Sequence, residues 1–199
     1  IRIVDASGQT VRTLPGTGKA GINRVWWNLW GEPTTQIMLR TKPRYAAWVE
    51  LDEDRTRKAP VGRITRLAPP ASYTVVLDVA GQEYKQQLVV HKDPHSEGTE
   101  ADIAAQTAMV RSLQEDMNTT AVLVNRIELI RRQIYDLKSL LKGRTDAGEI
   151  VSAVDLLDGK PIAVEEKMIQ MKRSSTGQDA VRWPSKLVSR IGYLAGAVA

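Results

Sequence analysis

Cysteine is absent from this 199-residue chain. That excludes a disulfide scaffold, a zinc–thiolate site and thiol catalysis, and it leaves the compartment open. No apolar run approaches the ~20 residues needed to cross a bilayer, so no membrane insertion is expected. No basic-then-apolar leader precedes the opening residues, IRIVD, which already read as strand. An abrupt start without Met reads as a piece of a longer chain, so the missing leader says nothing about export. Histidine is scarce: His91 and His95 are the only two. Metal ligation needs three or four converging ligands, and Pro94 restricts the path between these two. They read as linker residues, and neither a metal nor a cofactor is expected. The GxSxG elbow, the HExxH helix and the phosphate-binding glycine loop are also missing. Residues 16–19, GTGK, lack the Walker spacing and its helix, and read as a turn. Asp52, Glu53 and Asp54 are adjacent in a charged loop, where carboxylates face water instead of forming a placed acid–base pair. No catalytic residue is assigned.

What is present changes character near Pro94. Before it, apolar residues recur every second position. Tyr73, Val75, Leu77 and Val79 alternate with Thr74, Val76, Asp78 and Ala80, the rhythm of a half-buried antiparallel sheet. IRIVD and QTVRTL flank the turn ASG, SYTVVLDV and QEYKQQLVV flank Ala80-Gly81, and INRVWWNLW reads as extended. Repeated hairpins without intervening helices predict an all-β immunoglobulin-like sandwich over residues 1–93. It carries a long irregular insertion, residues 31–70, rich in proline and basic side chains. This insertion reads as an ordered surface excursion with internal ion pairs.

Residues 94–99 are the linker. Thr99 is positioned to cap a helix, with Asp102 three residues on. Ile103, Val110, Leu113, Met117, Val124, Ile127, Ile130, Ile134, Leu137 and Leu141 then recur at threes, fours and sevens. A continuous helix over 100–142 would be roughly 60 Å long and needs a partner along its stripe. GRTDAG turns the chain back. A second stripe follows, interrupted at Gly159 and Pro161, where a kink or a break is expected. Trp183, Leu187, Ile191, Leu194 and Val198 mark a final helix with Pro184 in its first turn. The simplest packing is an all-α antiparallel three-helix bundle over 100–199. The Asn118-Thr119-Thr120 sequon falls inside the long helix.

GQTVRTL, AGINRVWWNL, APPASYTVVL and VVHKDP, with QDAVRWPSKLVSRIGYLAGAV near the end, resemble the C-terminal module of bacterial sortilin-like, BNR-repeat proteins. These exported proteins are often described as glycosyl-hydrolase- or sialidase-like. Their β-propeller blades precede an FlgD-like or immunoglobulin-like sandwich and a helical tail. Gly8 matches the family's hairpin glycine, Gly21 and Asn23 its turn, Trp27 its strand tryptophan, Tyr73 its later strand and Pro94 the sandwich end. Asn28 stands where aspartate is common, and Ala71-Ser72 replace the usual glycine. The resemblance implies an extracellular, periplasmic or cell-envelope location and, as partner, the N-terminal β-propeller of the same parent.

Three of the five tryptophans stand within residues 26–30. On a strand, Val25, Trp27 and Leu29 would share the core face, and Trp26, Asn28 and Trp30 the other. Trp26 and Trp30 are then open to packing within the chain, to a propeller or other protein seam, or to a glycan. With Arg40, Arg44 and Trp48 they form the candidate partner or glycan surface. The net charge of +5 fits at most weak phosphate contact, and no nucleic-acid motif occurs, so nucleic acid is not expected as a partner. The reading is a non-enzymatic structural or protein-interaction module. Its alternatives are a carbohydrate-binding module assisting an attached glycosidase, and a loop lending Arg or Asp side chains from 31–70 to a propeller active site.

Overall fold

A computed structural model describes residues 1–43, 45, 48–59, 62–172 and 179–198. In chain order, the elements are β1 (Arg2–Val4), β2 (Thr10–Thr13), β3 (Met38–Leu39), β4 (Arg57–Lys58), β5 (Ala71–Val79) and β6 (Gln82–Val90). Then come α1 (Glu100–Leu141), a 3₁₀ turn (Thr145–Ala147), α2 (Gly148–Met168), α3 (Asp179–Arg182) and α4 (Leu187–Val198). Two compact units result. The first is chiefly Ile1–Thr34 with Ile64–Gln114; the second is Thr35–Arg63 with Glu115–Ala197.

The first unit is built on one antiparallel sheet in the order β2-β1-β5-β6. Its first hairpin turns at Gly8, whose φ of 83° suits a residue without Cβ. Asp5 holds the turn by accepting from the Ser7 and Gln9 amides at 2.9 Å each. Ile3, Ala68 and Tyr73 are buried, with Trp27, Val75 and Leu88 packed against them. Trp27 meets Tyr73 edge to face, with centroids 5.7 Å apart. Its indole Nε1 donates to the Trp30 carbonyl at 3.0 Å. Trp27→Ala is therefore expected to cost about 2–4 kcal/mol in a urea melt, against about 0.5 or less for the exposed Trp26→Ala.

The expected all-β sandwich followed by an all-α three-helix bundle is overturned. Helices hold well over twice as many residues as strands, α1 is the longest element, and the chain is mixed α/β. Among the described residues the second sheet is only the two-residue β3–β4 ladder. One cause lies in INRVWWNLW. Residues 22–28 join no strand, and Trp30 makes a single bridge to Leu67. Leu29 sits at φ 65°, a left-handed conformation that costs a residue with a Cβ roughly 1–2 kcal/mol and turns the backbone out of any ladder. The alternation survives without the strand: Val25, Trp27 and Leu29 are half-buried, while Trp26, Asn28 and Trp30 are exposed.

The bundle fails for a different reason. In the second unit the insertion is bound by α1 itself, so part of the helix faces extended chain. The buried row of α1 there is Met117, Ala121, Val124, Glu128, Arg131 and Ile134, a helical spacing of threes and fours. Ile130 and Leu137, expected on that row, are exposed. Helix α1 begins where the capping pattern placed it: the Asp102 amide donates to Thr99 Oγ1 at 3.2 Å and the Thr99 amide to Asp102 at 2.9 Å. Helix α2 continues through Gly159 and Pro161 as one element, which excludes a break into two helices there. The last helix starts at Leu187, so Pro184 precedes it instead of filling its first turn, and α4 buries Val188, Ile191 and Ala195.

Candidate functional site

The proposed surface residues are divided between the units: Trp26 and Trp30 belong to the first, Arg40 and Trp48 to the second, and Arg44 lies outside the described residues. Trp26 is 80% exposed, with the Arg24 guanidinium 5.9 Å from its ring centroid. Trp30 is 37% and Trp48 76% exposed. Arg40 is half-buried and donates to the Met38 carbonyl at 3.0 Å. Other basic residues of the insertion are also engaged: Lys42 pairs with Glu50 at 2.9 Å and Arg55 with Asp136 at 3.2 Å.

On the first unit, the sheet face that a sandwich would cover is open. Leu14, Val25, Trp27, Val75, Leu77 and Val79 line a groove of about 810 Å³. Residues 16–19, the turn dismissed as a phosphate loop, sit at its rim. Ile3 and Val75 are register partners, which places the buried cluster and the groove on the same sheet face.

The second unit holds an arrangement that sequence reading missed. Polar side chains of α1 bind the main chain of residues 35–41. Asn118 Oδ1 accepts from the Thr35 amide at 2.8 Å. Asn125 Oδ1 accepts from the Met38 amide at 2.8 Å, and its Nδ2 donates to the Gln36 carbonyl at 3.0 Å. Glu128 Oε2 accepts from the amides of Arg40 and of Thr41, the latter at 2.9 Å. Arg132 donates to the Arg40 carbonyl at 3.4 Å. Spaced at sevens, threes and fours, these residues share one face of α1, which supplies to the extended strap the hydrogen bonds a neighbouring strand would have given.

This row ends in a buried ionic cluster. Arg131 Nη1 donates to Glu128 Oε1 and to Glu165 Oε2, both at 2.8 Å, and to Thr41 Oγ1 at 3.1 Å. Its Nε donates to Asp158 at 3.4 Å. The side chains of Glu128, Arg131 and Glu165 are each 1% exposed. Burial lifts the Glu165 carboxyl to about 8; the neighbouring Glu128 charge adds to the rise and Arg131 opposes it. Burial alone would lower Arg131, but the charges of Glu165, Glu128 and Asp158 outweigh it and raise the guanidinium. For Arg57, whose Nε donates to the Thr41 carbonyl at 3.1 Å, burial prevails and the shift is downward. Glu165 Oε1 has no hydrogen-bond partner. The adjoining cavity, lined by Glu165, Thr41, Arg57 and Ser189 among others, measures about 20 Å³. That is room for one water.

The remaining candidates stand apart. His91 and His95 are exposed, as are Asp52, Glu53 and Asp54, and Asp54 accepts from the Thr56 hydroxyl at 2.6 Å. Among the described residues no group of three His, Cys, Asp or Glu is placed to hold a metal. No described helix is long and apolar enough to cross a membrane. Comparison with family models, curated proteins and solved structures finds no match to this chain.

Proposed function

We propose that this chain is a non-catalytic structural or protein-interaction module accessory to an exported β-propeller protein of the bacterial cell envelope. The open apolar face of the four-stranded sheet carries the reading. Leu77 and Val79 are 40% and 52% exposed at the end of β5 and line the groove with Trp27. Single exposed aliphatics are ordinary, whereas an aliphatic groove over a sheet marks a surface that another protein covers. A sugar would need convergent hydrogen-bonding groups, and this lining is mainly aliphatic. The resemblance of GQTVRTL and AGINRVWWNL to propeller-attached modules supplies the partner: the propeller of the same parent. The burial of Glu165 beside a cavity of only about 20 Å³ further supports a non-catalytic reading.

Mixed with the propeller segment of its parent, the chain is expected to co-elute. Leu77→Lys and Val79→Lys are each expected to weaken that association by about tenfold or more with unchanged circular dichroism. Unaltered affinity in both variants would discard the sheet face as the contact, and a parent without propeller blades would discard the attachment. The exposure of Trp26 favours a second reading, a carbohydrate-binding module serving an attached glycosidase. Glycan-array binding lost in Trp26→Ala and kept in Leu77→Lys would put that reading first.

A further inference from the structure

We propose that residues 35–41 form a proton-controlled latch: the acid proton of Glu165 keeps this strap on α1, and loss of that proton releases it in a local opening of the second unit. The geometry sets up the conflict. Glu128 holds the Arg40 and Thr41 amides through Oε2 and takes the Arg131 guanidinium through Oε1. Arg131 Nη1 is shared with Glu165 and with the Thr41 hydroxyl. A nitrogen with two hydrogens thus serves three acceptors. While Glu165 is a neutral acid, the demand on Arg131 is weak and Glu128 keeps its cation. The proton itself has a place: Oε1 is unpartnered, and the neighbouring cavity of about 20 Å³ accommodates one water to receive it.

Ionised, Glu165 would compete with Glu128 for the same guanidinium nitrogen and would repel the adjacent Glu128 carboxylate. The other charges facing the cluster do not cancel this. Asp158 on α2 adds a further negative charge on Arg131, and Tyr135 faces the same guanidinium. Arg57 on β4 donates to the Thr41 carbonyl and also faces Glu128 and Glu165, but its own burial prevails over their charges; Lys42 is held by Glu50. Strain delivered to Glu128 falls on the group that holds the strap. Among the described residues the strap's only ladder is the two-residue pairing of β3 with β4, whereas α1 and α2 keep their own helical bonds and the Arg131–Glu165 bridge between them gains strength on ionisation. Release would free Ile37 and Leu39, now 2% exposed each, and would uncover the side chains of α1 that read main-chain amides.

Amide hydrogen exchange across pH tests the latch, and no partner enters the measurement. After intrinsic exchange rates are removed, protection of the Met38, Arg40 and Thr41 amides is expected to fall by about tenfold or more between about pH 7 and about pH 9. It should fall below that of the Val124 and Ile134 amides of α1 in the same unit. In Glu165→Gln, which is neutral at every pH, strap protection should stay flat. Strap amides that follow the α1 amides at every pH, or that lose protection equally in Glu165→Gln, would overturn the proposal. Should that variant fold poorly, carbon-detected NMR titration of the Glu165 carboxyl in the unaltered chain decides. Its midpoint must coincide with strap opening, and a midpoint in the ordinary glutamate range refutes the latch.

Discussion

Arg131→Met is expected to lower the unfolding free energy of the second unit by about 3–5 kcal/mol. Arg131 is 1% exposed and bridges Glu128, Glu165 and Asp158. Methionine fills part of the volume but brings no donors, so up to three carboxyl groups are left to one another in a buried site. The cost comes mainly from the acids left behind, and less from the net worth of the ion pairs, which burial offsets. The loss should therefore shrink when the acids are removed as well. Urea unfolding of Arg131→Met, Glu165→Gln and the double variant forms the required cycle, and a coupling of at least about 1 kcal/mol is expected. A single-variant loss below about 1 kcal/mol would show that water reaches the cluster and screens its charges.

The second large effect is on pH dependence. Glu165 is raised from 4.5 to about 8 on folding. Below the unfolded value both states carry the proton, and the group contributes nothing to the slope. Between 4.5 and about 8 the folded chain keeps a proton that the unfolded chain has released, so stability must fall as pH rises through that window. Above about 8 both states are ionised and the loss is complete. Glu165→Gln removes this contribution. Its stability should be nearly flat across the same window and should exceed that of the unaltered chain on the alkaline side, provided the amide keeps the bond from Arg131. Thermal melts at several pH values compare the two, and parallel curves would exclude Glu165 as the titrating group.

The clearest success of sequence reading is α1. Its threefold and fourfold apolar spacing, with a Thr99–Asp102 box at one end and a glycine beyond the other, is encoded locally, since capping and periodicity depend on near neighbours. The β1–β2 and β5–β6 hairpins were legible for the same reason. The three indoles were read correctly by face and wrongly by element: period-two burial is shared by any extended segment held against a core, and the turn at Leu29 is set by contacts with Leu67 and Ala68, far along the chain.

The buried charges were not legible. Glu128 and Arg131 stand one residue beyond Ile127 and Ile130 and have the same spacing, so two adjacent stripes competed for the core on that turn of α1. Hydrophobicity favours the isoleucines. The structure buries the charged pair, because Glu165 and Asp158 arrive from α2 to meet Arg131 and the strap's amides arrive to meet Glu128.

The sequence by itself determined the local matters: where strand rhythm yields to helix rhythm, how α1 is capped, and which face each indole takes. Only the tertiary structure decided that residues 35–41 lie along α1 instead of extending a sheet, and that a carboxyl on α2 keeps its proton. Both outcomes depend on polar groups meeting across distant parts of the chain. A charge is stable in the dark of a core only when its partners have already been brought there, and no single stretch of sequence carries that information.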